Sequence, residues 1–128
     1  MIATEIRKVM VVDDDSSMRM GCKQILVENG FDVAEAASGY EAISVYKDFQ
    51  PDMVFMDIVM PDMDGLAALK KIIEMDPNAK MGMAIVKGQQ ALVMVALKTG
   101  AVDFVIKPFD QKQVLGTIKR ALSMPNPQ

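Results

Sequence analysis

The feature that most constrains this chain is an alternation repeated five times: a short apolar run, then an amphipathic stretch of helical period. "RKVMVV" (7–12), "FDVAEA" (31–36), "DMVFMD" (52–57), "KMGMAIV" (80–86) and "VDFVI" (102–106) read as strands. Helices are expected from Asp15, Ser16 or Ser17 to Asn29, with Gly30 as the stop, and from Ser38-Gly39 to about Phe49. Three more are expected over 65–75, over 89–99 up to Gly100, and over 111–123. A strand followed each time by a helix implies parallel pairing, because parallel neighbours need a crossover and right-handed crossovers place helices on the sheet faces. The fold class is therefore α/β, a five-stranded parallel sheet with helices on both faces. Residues 1–123 form one domain, and "MPNPQ" (124–128) reads as a flexible tail or a truncated linker.

Composition narrows the function classes. At 128 residues the chain can bury roughly two thirds of its unfolded surface without staples. A net charge of −3 speaks against direct nucleic-acid binding by bulk electrostatics. One cysteine, Cys22, excludes an intrachain disulfide and reads as a small apolar helix residue in a reducing compartment. Residues 1–8 carry Glu5, Arg7 and Lys8 without an apolar core region, and no apolar run approaches the ~20 residues of a membrane span. The expectation is a cytoplasmic protein without membrane partners. Histidine is absent altogether, which removes the usual metal ligand, general base and phosphoryl carrier at once. With one cysteine and no histidine, Ser-His and Cys-His nucleophiles and the common zinc sites are excluded.

The chemistry gathers at strand ends. "MVVDDDSS" (10–17) delivers Asp13 and Asp14 directly from an apolar run, the third strand ends in Asp57, and the fifth is followed by Lys107. In open sheets of this type, ligands sit beyond the carboxyl ends of the strands. If the first and third strands are neighbours, about 5 Å apart, their terminal carboxylates converge and need compensating cations. Lys107 would supply one and a hard divalent cation the other, Mg²⁺ with Mn²⁺ as the alternative. A carboxylate, a metal and a lysine without histidine or thiol suit phosphoryl chemistry with aspartate as the nucleophile. Pro61 and Gly65 would shape a rigid loop over the site. Asp15 reads as a helix-start residue, Asp62 and Asp64 as solvated loop residues, and the 13 methionines as core filler.

"VVDDDSSMR", "DIVMPDMDG" and "GAVDFVIKPF", in this order and spacing, resemble a response-regulator receiver domain of the CheY-like superfamily over about residues 6–122. The resemblance implies a flavodoxin-like strand order of 2-1-3-4-5 and Asp57 as the phosphoacceptor for a histidine kinase. It implies that Asp14 binds Mg²⁺ directly, Asp13 mainly through water, and that the Val59 backbone carbonyl completes the protein ligands. Lys107 and the Val86 backbone N–H would contact the phosphoryl group, and the Lys107-Pro108 peptide would be cis. A downstream partner protein or fused output domain would dock on the face of the fourth helix, fifth strand and fifth helix. "GQQALV" resembles stand-alone chemotaxis receivers.

One position departs from that family. Receivers usually carry serine or threonine at the end of the fourth strand, where this chain has Ile85, and residues 79–98 contain neither. The companion aromatic of the fifth strand is Phe104. The expectation is a phosphorylated domain, not an enzyme, with an atypical switch and a smaller gap between its two states. Val59 and Lys87 flank the path of the attacking water, and an apolar Val59 offers no general base for hydrolysis. A receiver-like interaction module acting without phosphorylation is the alternative reading. A haloacid-dehalogenase-type phosphatase is more remote: Asp13, Asp15 and Ser17 fit its D-x-D-x-S pattern, but only Asp110 follows Lys107 where an acidic pair is needed.

Overall fold

The computed structural model describes residues 6–61 and 63–123; Asp62 and the tail at 124–128 lie outside the described residues. Among those described, five strands alternate with five helices: β1 (Lys8–Val12), α1 (Ser16–Glu28), β2 (Asp32–Ala36), α2 (Gly39–Phe49), β3 (Met53–Asp57), α3 (Gly65–Met75), β4 (Met81–Ile85), α4 (Gln90–Thr99), β5 (Asp103–Ile106) and α5 (Gln111–Leu122). The expected elements are all present, most of them a residue or two shorter than the apolar runs suggested. All pairings are parallel and the order is β2-β1-β3-β4-β5.

The strands read as continuous apolar runs because both sheet faces are covered. Met10, Val12, Val54, Met56, Met83 and Ile85 face one way and pack with Ala42, Leu69 and Ala96 of α2, α3 and α4. Val9, Val11, Phe55 and Val105 face the other, against Leu26 of α1 and Ile118 of α5. Met10, Met53, Met56, Met81 and Met83 are fully buried, so the methionines do fill the core, although Met20 and Met94 are exposed. The edge strands β2 and β5 are covered least: only Ala36 is buried in the first and only Val105 in the second.

Helix starts explain why the chain turns where it does. Asp15, Ser38, Asp64 and Asp110 each accept a backbone N–H in the first turn of α1, α2, α3 and α5. Each such cap contributes about 1 kcal/mol. Asp64, expected to be a solvated loop residue, is exposed but also caps α3 through Ala67 N at 2.8 Å. Among the described residues α4 alone lacks a side-chain cap, and its N-cap residue is Gln89.

Gly65 starts α3 directly beneath the end of β3. Its N–H donates to the Ile58 carbonyl at 2.8 Å, and an added Cβ would meet the Asp57 carbonyl and stand 2.7 Å from Ile58 Cα. Backbone cannot yield as a side chain can, so only glycine fits here. Gly65→Ala is expected to lower stability by about 2–3 kcal/mol, an overpacking cost, read as the shift of the urea unfolding midpoint.

Candidate functional site

A parallel sheet brings every carboxyl-terminal strand end to the same edge. Val12 of β1 pairs with Met56 of β3, so Asp13 and Asp57 emerge side by side. Asp57 in turn pairs with Ala84 of β4, and Lys107, just beyond β5, donates its N–H to the Ile85 carbonyl at 2.7 Å. Four consecutive strands thus converge on one point.

There the Lys107 Nζ lies 3.0 Å from Asp13 Oδ2 and 3.3 Å from Asp57 Oδ1. All three side chains are less than a tenth exposed. Asp13, Asp14 and Asp57 each bring a carboxylate oxygen within 4.8 Å of the others, a grouping that could hold a metal ion. Three carboxylates against one ammonium leave a local excess of two negative charges, which a divalent hard cation with oxygen preference matches.

The two buried aspartates are not equivalent. Asp13 uses Oδ1 to accept the Asp15 N–H at 2.9 Å and Oδ2 to accept from Lys107, so both its oxygens are engaged. Its carbonyl accepts from Arg19 Nη1 at 2.7 Å, and Arg19 is held by Glu35, which also pairs with Lys23. The Lys23 and Arg19 hydrogen bonds outweigh partial burial and keep the Glu35 carboxyl below its ordinary range. Asp14, beside this braced residue, is exposed and faces open water.

Asp57 is the strained member. Burial pushes its carboxyl up to about 6, and the Asp13 charge adds to that, against the opposing pull of Lys107 and the Val59 N–H. Burial would lower the Lys107 ammonium, but hydrogen bonding and charge from Asp13 and Asp57 hold it above its ordinary value.

Around this cluster the remaining expected residues fall as follows. Val59 and Val86 are exposed at the rim, and Pro61 is exposed in the loop that Gly65 ends. The Lys107-Pro108 peptide is cis. Phe104 is 36% exposed on β5, whereas Ile85 is wholly buried in the apolar cluster on the α4 side of the sheet. The Val86 N–H, expected to be open to a ligand, instead donates to Gln89 Oε1 at 2.9 Å. Neither this bond nor the Arg19 brace was anticipated from sequence. Arg19 carries a weak signal, since it lies four residues after the Asp15 cap and so on the same helix face, but Gln89 carries none. A cavity of about 520 Å³ lined by Tyr46, Gln50 and Asp76 contains none of the clustered groups.

An acidic, lysine-bridged pocket at the carboxyl edge of a 2-1-3-4-5 sheet defines a receiver-type signalling module. Residues 9–119 match the response regulator receiver domain family, and the chain belongs to it. It is 47% identical over 117 residues to the chemotaxis protein CheY of Bacillus subtilis (strain 168), covering 91% of this chain and 98% of that one. To the chemotaxis protein CheY of Thermotoga maritima it is 45% identical over 115 residues, covering 89% and 96%. The crystal structure of the receiver domain of NtrX from Brucella abortus superposes with a TM-score of 0.87 at 30% identity, covering 91% and 99%. Receiver domains act in two-component signalling with histidine kinases and downstream effectors, and they bind Mg²⁺ in an acidic pocket.

The raised Asp57 carboxyl has a sign that can be checked. The folded protein holds this proton more tightly than the unfolded chain does, so stability falls as pH rises from about 4 through 6. In EDTA at pH 7.5, Asp57→Asn is expected to unfold later than wild type, by up to about 3 kcal/mol. The difference should vanish below pH 4, as urea titrations at both pH values will read.

Proposed function

We propose that Asp57 accepts a phosphoryl group from the phosphohistidine of a histidine kinase, and that the domain relays this state through a partner surface. The observation that carries the reading is the Asp57 carboxylate, 3.3 Å from a buried ammonium and grouped with two further carboxylates. A carboxylate oxygen forms the new P–O bond as the donor's P–N bond breaks, and the leaving imidazole keeps the electron pair. Lys107 stands where charge develops on the transferred group's oxygens, and the Val86 N–H lies at the same edge. Asp14, Asp57 and the Val59 carbonyl would hold Mg²⁺ directly. Asp13, with both oxygens already engaged, suits contact through water. Bound there, the cation would neutralise phosphoryl charge and the carboxylate excess together. Val59 brings no general base to the rim, which supports a long-lived phosphoryl state.

The partner surface lies on α4, β5 and α5. Met94, Val95 and Leu97 of α4 and Phe104 and Ile106 of β5 are all exposed. Beside them is a hollow of about 430 Å³ lined in part by Lys112 and by Arg120, which also pairs with Asp103 at 2.7 Å. An apolar strip edged by cations fits a protein partner or a fused output domain with an acidic rim. Among the described residues no helix is long and apolar enough to cross a membrane, and we read the domain as a cytoplasmic signalling protein rather than an enzyme.

Intact-mass analysis after incubation with Mg²⁺ and a small acyl-phosphate donor tests the acceptor. Wild type is expected to gain one labile phosphoryl group and Asp57→Asn none. Partner binding indifferent to Asp57→Asn would instead favour an interaction module that works without phosphorylation, a reading motivated by Ile85.

Ile85 bears on the size of the response. A hydroxyl at this position would give the phosphoryl group a charge-assisted hydrogen bond of about 1.5–3 kcal/mol, which this chain forgoes. Ile85→Thr is expected to enlarge the phosphorylation-dependent amide shifts across residues 85–108. Unchanged shifts would show that the switch does not run through this position.

A further inference from the structure

The turn from β4 to α4 closes on its own side chains. The Val86 N–H donates to Gln89 Oε1 at 2.9 Å, and the Gly88 N–H donates to Gln90 Oε1 at 2.9 Å. Gln89 sits at the N-cap of α4, where a side-chain oxygen ordinarily accepts from the helix's own first amides, yet it reaches backward instead. Burial does not demand this bond, because Val86 is 42% exposed and water could serve its amide. The amide it occupies lies at the edge beside Asp57: Asp57 pairs with Ala84, and the Ile58 N–H donates to the Ala84 carbonyl at 3.0 Å.

We propose that Gln89 is the residue that couples this site to α4, its carboxamide reserving the Val86 N–H until a phosphoryl oxygen on Asp57 takes it. The inference rests on the phosphoacceptor reading of Asp57. A charged phosphoryl oxygen accepts roughly twice as strongly as a neutral carboxamide, so the exchange runs toward the phosphoryl group. The released side chain is then free to cap the start of α4, the helix that lacks a cap in this state. Ile85 is fully buried and has no hydroxyl with which to report the phosphoryl group. Residues 86–89 are the direct covalent link from this edge to the helix that exposes Met94, Val95 and Leu97.

The test combines intact mass with amide and side-chain NMR on wild type, Gln89→Ala and Gln90→Ala, each with Mg²⁺ and a small acyl-phosphate donor. In wild type, phosphorylation is expected to move the Gln89 side-chain NH₂ resonances together with the Val86 amide. In Gln89→Ala the Val86 amide should exchange freely before phosphorylation and be protected after it. Shift changes across 90–99 should shrink, and phosphorylation should run about fivefold faster, the worth of one ordinary hydrogen bond. Gln90→Ala should behave as wild type, since its partner Gly88 lies farther along the turn. A phosphorylated wild type whose Gln89 resonances stay still, or a Gln89→Ala protein with undiminished changes across 90–99, overturns the coupling role alone. Absence of any phosphoryl gain on wild type overturns the acceptor reading and this inference with it.

Discussion

Everything functional in this domain depends on one ammonium group held between two buried carboxylates. Lys107 reaches Asp13 and Asp57 at 3.0 and 3.3 Å with nearly all solvent excluded. Without it, two buried like charges would share a site that both could not occupy ionised, and one would keep its proton. The bridge is possible only because β1, β3, β4 and β5 are parallel and adjacent, which brings their ends to a common edge. Topology thus solves an electrostatic problem, and the solution is incomplete by design: the remaining negative charge prepares the pocket for a cation.

The supporting groups divide the labour among the aspartates. Arg19, Glu35 and Lys23 tie the Asp13 backbone to α1 and to β2, and the Asp15 N–H orients the Asp13 carboxylate. Asp13 is therefore fixed and fully used, Asp14 is exposed and available, and Asp57 is buried but only partly compensated. Three chemically identical side chains acquire three different properties from burial and hydrogen bonding alone. The group left least satisfied is the one from which a nucleophile would gain most.

Fold and site were legible to different depths. The five apolar runs, each followed by an amphipathic stretch, dictated the parallel sheet, and Asp13, Asp57 and Lys107 followed because each ends a strand. Strand order was not legible from periodicity and came from the resemblance of whole motifs. Contacts that cross between elements without a periodic signature were missed, as with the Arg19 bond to the Asp13 carbonyl. Gln89 was hidden for a different reason: as the first residue of the helix expected over 89–99 it reads as an indifferent surface residue, and only coordinates reveal that it stands at the N-cap with its side chain folded backward. Asp64 was underread although the signal was there: it directly precedes the helix expected from Gly65, which is the cap position.

Ile85 shows what the domain trades. A threonine at a position with no exposure needs a hydrogen-bond partner in both signalling states, or it carries the cost of a buried unsatisfied hydroxyl. Isoleucine removes that requirement and adds apolar packing to the cluster around Met83, Val93 and Ala96. The strand end then carries no hydroxyl whose hydrogen-bond partner could change between states, and its side chain stays packed in that cluster. The coupling proposed for Gln89 assigns the response to charge at Asp57 to the next segment that is held loosely. Residues 86–89 meet that condition: the backbone there is exposed or half-buried, and exchangeable side-chain bonds close it. The helix that follows is short and starts without a side-chain cap, so its first turn costs little to rearrange. On the coupling proposed for Gln89, a packed β4 is compatible with a switch whose moving part lies in the turn rather than in the sheet.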